Sequence, residues 1–350
     1  MIQTAFPTLM VVPTGIGCAI GGYAGDALPA ARLLAAASGC LITHPNVMNG
    51  ASLYWQDQRI FYVEGYGLDR FAAGDWGLAP VRSQRVGLLL DCGIEPELKQ
   101  RHRQVADACR ATLGLSIGPV IETDQPLEVS LELGASGASS GRLGRPDALL
   151  RAGEQLLAAG ATAIAVVARF PDDVDSEALA AYRQGSGVDG LAGAEAVISH
   201  LLVQHLRIPC AHAPALSPLP LDPDLDPRAA AEELGYSFLS CVLVGLSHAP
   251  NLLPSSNSPQ AAAALWMDQV EALVVPEGAL GGEAVLAAVQ RKTPVIAVHN
   301  PSVLSVSSSA LGLAETVLPA ASYAEAAGLI LALREGLAPD ALRRPLKGLR

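Results

Sequence analysis

The chain has 350 residues, of which 50% are hydrophobic and 16% charged; this excludes a disordered polymer and allows two domains or one large α/β domain. Aromatic residues make up only 4%, so the hydrophobicity is aliphatic and suits helices on buried parallel strands better than a β-sandwich. The net charge of −11, with basic residues few and scattered, argues against a nucleic-acid partner.

In chain order, TLMVVP (8–13) predicts a buried strand, TGIGCAIGGYAGD a Gly-rich loop, ALPAARLLAAAS a helix and CLITHP a second strand. IFYVEGY predicts a strand, and DRFAAGDWGLAP an irregular, turn-rich segment. RVGLLLD (85–91), EPELKQRHRQVADACRATLG and GPVIETD form a further β-α-β unit, its strands ending on Asp91 and on Glu122 and Asp124. LEVSLELG alternates as a strand and feeds a Gly/Ser loop, ASGASSGRLG. The helix PDALLRAGEQLLAAG, with Pro146 in its first turn, and the strand ATAIAVVARF follow. DSEALAAYRQ reads as a short helix or part of a lid. ALSPLPLDPDLDP (215–227) is a loop, and Asp226 with Pro227 starts a helix that runs to about Ser247. NLLPSSNSP is a loop, Ser258 caps a short helix, VEALVVP is a strand, and Ser322 with Glu325 makes a capping box for the last helix.

This alternation predicts an α/β fold of mainly parallel sheets covered by helices and built from repeated Gly-loop β-α-β units. A boundary near residue 125 would give an N-terminal α/β domain, 1–125, and a C-terminal one, 126–350, unless the chain forms one large domain.

Three stretches resemble one another: GYAGDALPAARLLAAASGCLITHP (22–45), GLAGAEAVISHLLVQHLRIPCAHAP (190–214) and GALGGEAVLAAVQRKTPVIAVHNP (278–301). Each places a Gly-rich turn at a helix start and a His just past the following strand, both on the carboxyl edge of a parallel sheet, where ligand sites lie. The histidines are His44, His212 and His299, candidates for a general base, with Asp91 the candidate acid at a strand end. The candidate ligand-binding residues are Gly15, Gly17, Gly21, Gly22, Gly25, Asp26 and Asn46 in the first unit, Gly190 and Gly193 in the second, and Gly278, Gly281 and Asn300 in the third. Glycines at helix starts let backbone N–H groups approach an anion, so the expected ligand is a small anionic metabolite, a phosphate or carboxylate. The same glycines also serve tight turns, and strand-end histidines also bond local backbone. His102, His200 and His205 are assigned to surface or packing roles.

The pattern is neither a dinucleotide fingerprint nor a P-loop, and no cofactor is named by it. Cys210, His212, Asp222, Asp224 and Asp226 match no zinc or calcium spacing, and no metal is expected. None of the six cysteines forms a C-x-x-C pair, which favours a reducing compartment. With no charged leader and no unbroken apolar span of about 20 residues, a cytoplasmic protein without a membrane partner is expected.

PTGIGCAIGGYAGDALP, LITHPNVMNG, GVDGLAGAEAVISH, IPCAHAP and DPRAAAEE together resemble an uncharacterised, mostly cyanobacterial family, a domain of unknown function. The resemblance spans nearly the whole chain. It implies a cyanobacterial-type cytoplasmic source and supplies no activity, cofactor or catalytic residue. The residues favour a small-molecule enzyme; the alternative is a non-catalytic ligand-binding or assembly protein, since the Ala-rich composition also suits packing into a homo-oligomer.

Overall fold

The computed structural model describes residues 5–50, 57–172, 176–233, 237–254, 261–346 and 348. The chain begins with β1 (Thr8–Met10), α1 (Leu28–Ser38), β2 (Leu41–Thr43), the single turn α2 (Pro45–Met48), β3 (Ile60–Tyr62), α3 (Gly65–Ala73) and β4 (Gly77–Ala79). Next come β5 (Val86–Leu90), α4 (Pro96–Leu113), β6 (Ile117–Glu122), β7 (Val129–Leu133), β8 (Ser139–Leu143), α5 (Pro146–Ala158) and β9 (Ala163–Arg169). They lead to α6 (Glu177–Arg183), α7 (Ala192–Leu206), β10 (Cys210–Ala215), α8 (Pro227–Glu233), α9 (Ser237–Ser247) and β11 (Asn251–Leu253). The last elements are β12 (Ala272–Pro276), α10 (Glu283–Arg291), β13 (Val295–Val298), β14 (Val317–Ala320) and α11 (Tyr323–Arg334).

Two parallel sheets carry the fold. The larger has six strands in the order β14-β13-β12-β1-β2-β3, the smaller four in the order β10-β9-β5-β6. Thr8 lies beside Ala272 on one side of β1 and beside Leu41 on the other. Every residue of β1, β2, β5, β12 and β13 is buried, as expected of strands covered on both faces, and this is why they read as continuous apolar runs. Helices α1 and α11 pack together, α3 packs against α10 and α7, and α9 packs against α4 and β10. The two main core clusters each take side chains from both sheets. Both sheets also take strands from either side of residue 125, with β5 paired to β9, so the sheets interleave across that position rather than dividing there.

Four local readings are corrected. The turn-rich segment is the helix α3: the Glu64 carboxylate accepts from the Tyr66 and Gly67 N–H groups, and Gly74 ends the helix in the left-handed region. The second Gly/Ser loop contains β8, which pairs antiparallel with β7. Its small residues permit close approach: a Cβ on Gly193 would lie 2.3 Å from Ser140 Cα, and Gly15, at φ +73°, faces Ser139. The helix drawn from Asp226 to Ser247 is two helices, α8 and α9. His212 stands inside β10, as its third residue, and not beyond a strand end. Ser322 does cap α11, accepting from Glu325 N at 3.3 Å, while Glu325 reaches back to Ala321 N at 2.7 Å. Ser258 lies outside the described residues.

Candidate functional site

The carboxyl edge of β1, β2 and β3 faces the flank of α7 and β10 across a cavity of about 530 Å³. The loop after β1, the turn after β2 and the cap of α3 form one wall; α7, β10 and the segments around α6 and α8 form the other.

On the second wall, α7 sets Glu195 and Ser199 one turn apart, so both side chains leave the same face. The Ser199 hydroxyl bonds His212 Nδ1, and Glu195 Oε2 lies 3.6 Å from His212 Nε2. Ser199 is buried and fixes the ring; Ser199, Glu195 and His212 all line the cavity. A carboxylate and an imidazole arranged this way can take up and return a proton.

One residue further along α7, His200 Nε2 lies 3.1 Å from Glu64 Oε1. Burial pushes the Glu64 carboxyl up to about 8, although the α3 N–H groups favour its charge. Burial, then the neighbouring His212, hold His200 below its ordinary range. Both shifts favour the proton on the carboxyl over the imidazole. Asp189, ahead of α7, is pushed up to about 7 by burial and by Glu195. Glu232 of α8 is raised by burial and by Asp189; it accepts from Ala24 N and from Tyr182 Oη at 3.0 Å. Tyr182 stacks on Tyr23 with ring centroids 4.3 Å apart.

His44 lines the first wall. Its Nε2 accepts from Val12 N at 3.0 Å, which places the ring proton on Nδ1, and burial pushes its pKa down to about 4. Asn49 also lines the cavity and accepts from Tyr62 Oη at 2.9 Å.

Of the residues singled out in the sequence, His44, His212, Asn46 and Gly190 meet at this cavity. His299 is exposed at the end of β13 and lies elsewhere. Asp91 is buried as a bracket: it accepts from the N–H groups of Gly93, Leu127 and Arg169, tying the ends of β5 and β9 together. Gly15, Gly17, Gly21, Gly22 and Gly25 form a loop bonded to its own surroundings. The N–H groups of Ala19, Ile20, Gly21, Ala24 and Gly25 are taken by Pro301, Asn300, Asp26, Glu232 and Asn46 respectively. Asp26 and Asn300 thus serve as clasps of the loop, and the Asn46 side-chain NH₂ donates a hydrogen bond to Gly21 O. Gly193 admits the β8 backbone, and Gly278 and Gly281 pack against Leu304 and Val306.

His200 and His102, read as surface or packing residues, both line the cavity, His102 while donating to Leu98 O; His205 pairs with Glu154 on the exposed flank. Glu64, Asp189, Glu195, Ser199 and Glu232 were not anticipated. The only sequence signal was the polar set Glu195, Ser199, His200 at helical spacing within an apolar helix. Among the described residues no three His, Cys, Asp or Glu side chains gather as a metal-ligand set, and no Arg or Lys lines the cavity.

The fold and cavity define an α/β protein with paired acid–base groups between two parallel sheets. Residues 7–343 match the family described as a protein of unknown function, DUF3326, and the chain belongs to that family. It is 55% identical over 343 residues to an uncharacterised lipoprotein of a Synechococcus species, a match covering 98% of this chain and 94% of the relative. No solved structure matches the chain.

Proposed function

We propose that the cavity is the active site of an enzyme that acts on a small organic molecule by proton transfer. The observation that carries this reading is His212, fixed by Ser199 and facing Glu195 in a cavity that His44 also lines. His212 with Glu195 is the acid–base pair, and Glu64 with His200 a second proton store beside it. The Gly-rich loop after β1 is scaffold in this reading, because its bonds hold it to neighbouring strands and helices. An anionic metabolite would face walls rich in carboxylates, so the ligand expected from the loop glycines alone is set aside.

A thermal-shift screen of uncharged, cationic and anionic metabolites tests the reading. A compound that stabilises the native chain should lose most of its shift in His212→Ala and keep it in His205→Ala. Once turnover of that compound is measured, His212→Ala should slow it by a factor of about 10²–10⁴. Equal shifts in the two variants would leave the histidine an architectural residue. Binding with no turnover would instead support a non-catalytic ligand-binding protein. We also place the protein in the cytoplasm, on its cysteine usage. Among the described residues no single helix is long and apolar enough to cross a membrane. Recovery of the full chain with membranes of its native cells, in line with the relative's name as a lipoprotein, would overturn that placement.

A further inference from the structure

We infer that Ser199 is a nucleophile with His212 as its base, and that the cavity takes an uncharged carboxylic ester. This rests on the reading of the cavity as an active site, and it adds the attacking group and the bond that is broken.

The hydrogen bond of Ser199 places the protons. Its Oγ bonds His212 Nδ1, and among the described residues this is the hydroxyl's one partner. A buried hydroxyl gives its hydrogen to an acceptor, so Nδ1 accepts and the neutral ring carries its own hydrogen on Nε2. Glu195 Oε2 lies 3.6 Å from that second nitrogen, a separation of the kind that tightens when substrate binds. Hydroxyl, imidazole and carboxylate thus stand in series, and all three line the cavity. Glu195 and Ser199 sit one turn apart on α7, and His212 is on β10, which packs against α7. Two regular elements therefore hold the series in place. The ring can take the Ser199 proton at Nδ1 while Glu195 balances the charge that appears on it, which makes Glu195 a positioning residue.

The step balances without a cofactor. Ser199 Oγ attacks the ester carbonyl carbon as its proton passes to His212 Nδ1. The bond from that carbon to the alkoxy oxygen breaks, its electron pair stays on the oxygen, and the oxygen takes the proton from Nδ1 and leaves as an alcohol. Water then adds to the acyl group on Ser199 and gives a proton to Nδ1. The bond to Oγ breaks, Oγ recovers that proton, and a carboxylic acid departs. Ester and water become alcohol and acid. The walls decide which esters fit. Leu179, Leu216, Leu225 and Phe238 line the space and suit an alkyl chain. No Arg or Lys lines it among the described residues, so a carboxylate or phosphate on the substrate would find no cationic partner there.

Two reagents applied to the full chain test the inference: a fluorophosphonate, which phosphonylates activated serine hydroxyls, and p-nitrophenyl butyrate, an uncharged ester. Peptide mapping of the native chain should find the phosphonyl group on Ser199, and the ester should release a burst of about one p-nitrophenol per chain. Ser199→Ala should lose both signals, and His212→Ala should slow both by a factor of about 10²–10⁴. The anionic analogue mono-p-nitrophenyl adipate should react at least about tenfold more slowly than the butyrate. Absence of both label and burst, or a label confined to other residues, would overturn Ser199 as the nucleophile. The mapping uses the native chain and so decides this even if Ser199→Ala fails to fold. Labelling of Ser199 that is as fast in His212→Ala would overturn the base, and equal rates for the two esters would overturn the uncharged class. None of these outcomes touches the proton-transfer reading, which falls only if His212→Ala leaves the thermal shift of a bound compound unchanged.

Discussion

Glu64 caps a helix, faces a cavity and holds a proton against His200, and these duties pull its charge in opposite directions. The cap favours the carboxylate; burial favours the acid and wins, raising the group from 4.5 to about 8. An acid whose folded pKa is raised contributes stability that is fully present below its unfolded value and is lost as pH rises through the folded one. The native chain should therefore lose stability between about pH 4.5 and 8, by on the order of 2–4 kcal/mol from this group. Glu64→Gln keeps an acceptor for the α3 N–H groups and cannot ionise. Chemical denaturation at pH 5 and pH 8.5 should show a fall in the parent that is smaller by that amount in the variant; parallel falls would mean that Glu64 is charged throughout. Little of this was legible in the sequence. His44 and His212 stood out because a recurring spacing placed them at one sheet edge. Glu64 and His200 meet across 136 positions of chain, and nothing local to either residue announces the other.

Among the elements, the β7–β8 hairpin shows what the small residues do. Glycines at 15 and 193 looked like turn formers or ligand cradles, and the structure uses both to admit Ser139 and Ser140. Gly193→Ala would drive a methyl group into the β8 backbone and should cost about 1–3 kcal/mol, since the atoms it meets are backbone and not the end of a flexible side chain. Gly328, inside α11, is exposed and has nothing within 4 Å of its would-be Cβ. Gly328→Ala should instead stabilise the protein by about 0.5–1 kcal/mol. Melting temperatures should move in opposite directions; a loss in both would place strain where the packing shows space. Buried strands and long helices were readable because their apolar runs reflect burial on both faces or on one stripe. β8 was not, because a strand made of SSGRL has the composition of a loop and owes its form to the partner β7 and to α7.

At the scale of the whole molecule, the sheet order decides how the chain can be cut. β1, β2 and β3 complete their sheet only with β12, β13 and β14, and β5 and β6 theirs only with β9 and β10. A fragment of residues 1–125 should accordingly show no cooperative unfolding transition by circular dichroism, whereas the full chain should unfold in one; a folded fragment would show that the first half builds a core of its own. The sequence could suggest a linker at TDQPLE from its composition, but which strands pair is a property of distant contacts. One such contact joins the loop after β1 to the far end of the chain: Asn300 holds both the N–H and the C=O of Ile20, 280 positions away. On a ribosome the order of events follows from that clasp. β1 emerges early, yet its neighbour β12 appears only after some 260 further residues, on the order of tens of seconds at ordinary rates of synthesis. Until then Asn300 is missing from the clasp on Ile20, so the nascent chain carries an unfinished sheet edge, and the loop that borders the cavity is fully tied down only as the last strands arrive.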